Sequence, residues 1–218
     1  DIGFMLIIFF LGMGAATFGR MVELNPKRMA CVSTVLFSIG MLLMFLATNF
    51  TILPLYYLAC AFMGTGTGIG YTSPIKQLLS NFEDHKGLAS GLAITGFGLG
   101  KFVFAPIIEY LLVNFSLPYM FLILSGIFLV IMSLCSWLYK PNPAYISTIY
   151  TAIPYSRLIK HTFLTKRYIS VWLMFCINIS CGLALISQEK GLLLNLGFKE
   201  IAILMSTTAV FNILGRFG

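Results

Sequence analysis

The chain has 218 residues, of which 59% are hydrophobic and only 10% are charged, and its formal net charge is +7 at pH 7. A soluble globular domain has about 25% charged residues, so this composition excludes that class and indicates an integral membrane protein. The positive charge does not point to a nucleic-acid partner, because cytoplasmic loops rich in Lys and Arg explain it in a membrane chain. The five cysteines lie within apolar runs without a grouping typical of a metal site or a disulfide, so no metal and no cofactor is expected.

The apolar residues fall into seven runs, each about long enough to cross the hydrocarbon core as a helix. In chain order they cover residues 2–19, 29–50, 52–75, 87–113, 117–139, 168–188 and 201 to the end. They lack the alternation of polar and apolar residues that marks a barrel strand. The sequence therefore predicts an all-α, polytopic membrane bundle of about seven transmembrane helices.

The basic residues concentrate in alternate connectors between these runs. Connectors 19–28, 76–86 and 140–167 hold ten of the 14 Lys and Arg residues, whereas connectors 49–51 and 114–118 hold none. By the positive-inside rule the basic connectors are cytoplasmic. The first run then starts on the outer side, so we interpret the chain as a fragment of a longer protein, with one helix before it.

Glycines spaced four residues apart line the two runs that flank connector 76–86. The pairs are Gly64/Gly68, Gly66/Gly70, Gly87/Gly91 and Gly96/Gly100. On a helix this spacing puts small residues on one face, which lets neighbouring backbones approach closely in lipid. We therefore expect tight helix packing in both runs. The second run also carries Lys101, and a charge within a membrane helix is a functional candidate by default.

Four segments, in the right order, resemble the major facilitator superfamily. GRMVELNPKR, from residue 19, resembles the signature between the second and third helices, with Glu23 in place of the usual Asp. GIGYTSPI and NFEDHKGLASGLAITGFGLG resemble oxalate/formate antiporter-like and monocarboxylate transporter-like members. WLMFCINISCG and FNILGR are similar to segments of the seventh and eighth helices. The resemblance implies the major facilitator fold from its second to its eighth helix: an N-terminal bundle (1–139), a cytoplasmic linker (140–167) and the start of a C-terminal bundle (168–218).

The resemblance also implies substrate-binding residues. Arg216 matches an arginine of the eighth helix that contacts the substrate carboxylate in the antiporter family, and a guanidinium binds a carboxylate through two parallel hydrogen bonds. Asn212 stands one turn earlier, where the monocarboxylate branch often has an acid. Lys101 replaces a small residue and offers a second cation; a carboxylate partner on another helix and snorkelling are the alternatives. Tyr71, close to Pro74, either lines the cavity or belongs to polar groups that re-satisfy freed backbone groups.

The first motif suggests a cytoplasmic gate. Its residues are Gly19, Glu23, Lys27 and Arg28. A carboxylate at a helix end, close to basic residues, is suited to lock such a gate. The alternative is an ordinary solvated, charged turn.

Together these features predict a secondary active transporter of small organic anions, such as formate, oxalate or lactate, that works by alternating access. We expect a monomer in the lipid bilayer, with a proton or a counter-anion as a further partner. The plasma membrane is the expected location, and an organelle membrane is the alternative. The competing functions are a facilitator for amino acids, sugars or other solutes, and a membrane sensor that no longer transports. The sequence has no nucleophile–base pair and no phosphate loop, so neither an enzyme nor catalytic residues are expected.

Overall fold

The computed structural model describes residues 2–139, 165–197, and 204, 205, 207, 208, 210 and 211. Its elements are α1 (Ile2–Leu24), α2 (Pro26–Phe50), α3 (Leu53–Asn81), a 3-10 turn (Glu83–His85), α4 (Lys86–Asn114), α5 (Leu117–Leu138) and α6 (Lys166–Asn195). The predicted all-α class is confirmed. By length and composition α1, α2, α5 and α6 are able to cross a membrane. One compact unit of the chain contains α1 to α5, and α6 belongs to another. Residues 140–164 of the predicted linker and most of the seventh run lie outside the described residues.

The helices extend beyond the apolar runs from which they were predicted. α1 continues to Leu24 and α2 starts at Pro26, so the polar connector 19–28 is reduced to a turn at Asn25. α3 continues past Pro74 to Asn81. Polar side chains at a helix end reach water while the backbone hydrogen bonds continue, which is why hydropathy ends earlier than the helix.

α1, α2 and α3 pack against one another through small clusters of buried apolar side chains. Val22, Met29 and Ile69 join the three helices near their predicted cytoplasmic ends, called the inner ends below. Met44 and Cys60 join α2 to α3 nearer the other end. α5 packs against α2, which places α2 and α3 at the centre of this unit.

The glycines of α3 bring its backbone against two neighbouring helices. A Cβ added to Gly64 would lie 2.6 Å from the carbonyl oxygen of Ile7 in α1. One added to Gly66 would lie 2.7 Å from the backbone nitrogen of Phe37 in α2. The next glycine along each face is equally close to its neighbour, so the predicted close approach is confirmed for α3.

Three glycines of α4 do not form such close contacts with the residues that the structure describes. No described residue would lie within 4 Å of a Cβ on Gly87, Gly96 or Gly100, so the predicted glycine packing is wrong for these three positions. α4 packs instead through bulky side chains, with Leu111 and Phe104 against α2 and α5. The described contacts of α4 in this cluster are thus made by large side chains and not by glycines.

Candidate functional site

An ion pair joins the inner ends of α1 and α3. Lys76 Nζ lies 2.6 Å from Glu23 Oε1, and it also donates a hydrogen bond of 2.8 Å to the carbonyl oxygen of Gly19. The Lys76 and Glu23 side chains are 28% and 30% exposed. Partial removal from water strengthens the attraction between the two charges relative to that of a surface pair.

The position of Glu23 explains why this lysine is needed. Glu23 lies in the last turn of α1, where the helix dipole disfavours a carboxylate. Lys76 offsets this by neutralising the carboxylate, and it also donates to the carbonyl oxygen of Gly19, one turn before Glu23. It reaches both groups because α3 continues as a helix beyond Pro74.

Gly19 contributes to this site through its carbonyl group. A Cβ on Gly19 would lie 3.7 Å from Lys76 Nζ, which is an ordinary van der Waals distance. The position therefore does not require glycine for space. This differs from the glycines of α3, where no side chain fits.

Lys27 and Arg28 lie in the first turn of α2, and both side chains are exposed. In the part of the chain that the structure describes, the partner of Glu23 is Lys76. Sequence reasoning missed Lys76 because it counted this residue among the solvated charges of connector 76–86. The available signal was that positive-inside topology puts connectors 19–28 and 76–86 on the same side of the membrane.

Two of the four predicted substrate-binding residues lie on described helices that are neighbours. Tyr71 is on α3 with its side chain 36% exposed. Lys101 is half-buried on α4, fifteen residues beyond Lys86 and thirteen before Asn114, which puts it about 20 Å from each end of the helix. Lys101 therefore lies near the middle of its helix, as its place in the fourth apolar run predicted. Arg216 and Asn212 lie outside the described residues.

The hydroxyl groups next to Tyr71 bind backbone carbonyls. Thr72 Oγ1 donates to the carbonyl oxygen of Gly68 at 3.0 Å, within α3. Ser73 Oγ lies 3.3 Å from the carbonyl oxygen of Pro26, at the start of α2. Thr72 thus supports its own helix, and Ser73 links the inner parts of two helices.

The comparison with known protein families decides the class. The model of the Major Facilitator Superfamily matches residues 1–218. The chain belongs to this superfamily. It is therefore an integral, multi-pass membrane protein, as its composition predicted.

Curated relatives of this facilitator include monocarboxylate transporters. The chain is 32% identical to monocarboxylate transporter 13 of Rattus norvegicus over 120 residues, which are 55% of this chain and 27% of the rat protein. It is 35% identical to monocarboxylate transporter 12 of Xenopus laevis over 107 residues, 49% of this chain and 23% of the frog protein. The uncharacterized MFS-type transporter YhjX of Escherichia coli is 24% identical over 217 residues, 99% of this chain and 54% of that protein. No solved structure matches.

The aligned part of this facilitator is thus about half the length of its bacterial relative and less than a third of that of the animal relatives. The predicted resemblance to the superfamily is confirmed, and so is the similarity to monocarboxylate transporters.

Proposed function

We propose that the protein is a secondary active transporter that moves small organic anions, mono- or dicarboxylates, across the membrane by alternating access. The observation that carries this proposal is the position of Lys101 near the middle of α4. A lysine at the centre of a membrane helix costs about 2.5–3.5 kcal/mol on insertion scales, and a bound anion offsets that cost. The names of the animal relatives support the same class of substrate.

The proposed substrate site combines two cations with two neutral donors. A carboxylate that leaves water loses several kcal/mol of solvation, so the site has to supply charge and hydrogen bonds in return. Lys101 and Arg216 supply the positive charge. The hydroxyl group of Tyr71 and the amide of Asn212 donate hydrogen bonds to the carboxylate oxygens.

The proposed gate is the ion pair between Glu23 and Lys76 with the carbonyl group of Gly19. It holds the inner ends of α1 and α3 together in one state of the transport cycle. Lys27 and Arg28, at the start of α2, are the further basic residues of this gate. Opening the gate would expose the Glu23 carboxylate to water, where an ion pair contributes little to stability.

The remaining organisation follows the same proposal. Residues 1–139 form the N-terminal bundle, 140–167 the cytoplasmic linker and 168–218 the start of the C-terminal bundle. A proton or a counter-anion is the second transported species. The protein works as a monomer in the plasma membrane.

The proposal is tested by the uptake of labelled formate, oxalate and lactate into liposomes that contain the full-length protein. We expect Lys101→Met and Arg216→Met each to reduce uptake at least tenfold, since losing a charge-assisted hydrogen bond costs about 1.5–3 kcal/mol. Lys101→Arg, which keeps the charge, should retain part of the activity. Lys190→Met is the matched control, because Lys190 is an exposed lysine near the end of α6.

The alternatives give different results in the same assay. Normal uptake by both Met variants would refute the proposed site. Uptake of neutral amino acids or sugars without any uptake of carboxylates would show a facilitator for those solutes. Absence of transport for every solute would favour a sensor.

A further inference from the structure

A cavity of about 200 Å³ lies between α2, α3 and α5, towards their inner ends. Its wall carries five hydroxyl groups, those of Ser33, Thr34, Ser73, Ser136 and Tyr139. The proposed substrate residues Tyr71 and Lys101 do not line it. The cavity is therefore a candidate site separate from the anion path.

Three of these hydroxyl groups use their hydrogen on backbone carbonyls. Ser33 donates to Gly66 at 2.7 Å, Thr34 to Ala30 at 3.0 Å and Ser136 to Met132 at 2.8 Å. Thr34 Oγ1 and Ser136 Oγ also lie 3.3 Å apart, so one of these two groups is able to donate to the other instead. Each of the three oxygens keeps the capacity to accept, because a hydroxyl group has one hydrogen and two lone pairs.

The other two hydroxyl groups form a short chain. Ser73 Oγ lies 3.3 Å from the carbonyl oxygen of Pro26 and 3.2 Å from the Tyr139 hydroxyl oxygen. Ser73 has one hydrogen, and when it donates to Tyr139 the hydrogen of the Tyr139 hydroxyl group remains available to a ligand. Burial raises the pKa of Tyr139 above its ordinary value, so the phenol stays neutral at physiological pH.

A proline adds another acceptor to the same wall. Pro74 has no N–H group to donate to the carbonyl oxygen of Gly70, four residues earlier in α3, and both residues line the cavity. The described lining residues include no Lys, Arg, His, Asp or Glu. The wall is therefore mostly apolar and uncharged, with a few hydroxyl groups, which favours a neutral solute that carries a hydroxyl group and disfavours an anion.

We propose that this cavity binds a small uncharged alcohol whose hydroxyl group donates to the wall oxygens. A cavity of about 150 Å³ accommodates benzene, so the volume suits a six-membered ring with a hydroxymethyl group. The bound alcohol bridges α2, α3 and α5 beside Pro74, where α3 lacks a backbone hydrogen bond. Since α3 also carries Tyr71 and Lys76, the ligand acts on the helix that connects the proposed substrate site with the proposed gate.

The test uses two cysteines of the chain as reporters. Both cysteines are exposed, and of the two only Cys135 lines the cavity. Each is kept as the only cysteine in the full-length protein in nanodiscs, and its alkylation by N-ethylmaleimide is timed with benzyl alcohol, toluene or benzoate. Benzyl alcohol should slow the alkylation of Cys135 about tenfold at ten times its dissociation constant, in a saturable manner, and leave Cys31 unchanged.

Several results would contradict the proposal. Equal slowing of both cysteines would show a membrane effect, and equal protection by toluene would show that the hydroxyl group is irrelevant. Stronger protection by benzoate would make the cavity an anion site, and a Cys135 that does not react would mean that the cavity is closed to small solutes.

A variant that fills the cavity provides an independent check. Ala30→Leu in the Cys135 background should remove the protection by benzyl alcohol, because Ala30 lines the cavity. Ala16→Leu, at an exposed position of α1, should leave it unchanged. Persistent protection in a folded Ala30→Leu protein would overturn the assignment, and if that variant does not fold, the comparison of the three compounds decides.

Discussion

α3 and α4 are similar in sequence and different in their packing. Each has 29 residues, an internal proline and paired glycines; α3 has one lysine, Lys76, and α4 has two, Lys86 and Lys101. A Cβ on Gly64 or Gly66 of α3 would overlap backbone atoms of α1 or α2, whereas a Cβ on three glycines of α4 would meet no described atom within 4 Å. Lys76 of α3 pairs with Glu23 at the inner end, whereas Lys101 lies near the middle of α4.

The difference shows that glycine spacing gives a helix the capacity for close packing but does not supply a partner. α1 also has a glycine at its contact with α3. A Cβ on Gly14 would lie 2.9 Å from the carbonyl oxygen of Thr65. α4 presents Phe104 and Leu111 to α5, whose contact side carries Met120 and Leu124. Two helices come close only where both surfaces are small.

The largest effect is expected at the bulky contact of α4. Leu111 is 7% exposed within the cluster that joins α2, α4 and α5. Leu111→Ala should lower the free energy of unfolding, measured by denaturant titration in mixed micelles, by about 2–4 kcal/mol, because it leaves a cavity. Leu112 is 40% exposed, and Leu112→Ala should change the free energy of unfolding by about 0.5 kcal/mol or less. Equal losses in the two variants would show that α4 is not held by this contact.

The second prediction is that alanine substitutions at glycines of α3 and α4 change the free energy of unfolding in opposite directions. In Gly64→Ala the new Cβ meets the carbonyl oxygen of Ile7 at 2.6 Å, and the overlap outweighs the gain in helix propensity. The free energy of unfolding should fall by about 1–2 kcal/mol. Gly96→Ala meets no described atom within 4 Å, so it should raise the same quantity by up to about 1 kcal/mol. A loss of similar size at Gly96 would indicate that this face of α4 is packed in the full-length protein.

Composition and hydropathy led to the correct class and, within a few residues, to the limits of three helices. α2, α4 and α5 begin and end within three residues of the predicted limits. α1, α3 and α6 run further, because hydropathy reports the apolar core and not the backbone hydrogen bonds that continue into the interface.

The candidate site was less accessible to sequence reasoning. The motif indicated Glu23 but not its partner, since an ion pair between residues 53 positions apart depends on how α1 and α3 are aligned. The position of Lys101 within its helix was predictable because it requires only counting along one element. The difference in close packing between the glycine pairs of α3 and α4 was not predictable, because it depends on the side chains of the facing helix.

The smallest effect concerns Lys76 of α3 and Lys101 of α4. Lys76→Met removes a half-buried charge pair and should lower the free energy of unfolding by about 1 kcal/mol. In a double-mutant cycle with Glu23→Gln, most of that loss should appear as coupling between the two positions. Lys27→Met should show no coupling to Glu23, because Lys27 is exposed and Lys76 is the described partner. Lys101→Met should show no coupling to Glu23 in the same cycle, because Lys101 lies near the middle of α4. Coupling of Glu23 to Lys27 instead of Lys76 would contradict the observed pair and would assign the gate to the basic residues of the motif itself.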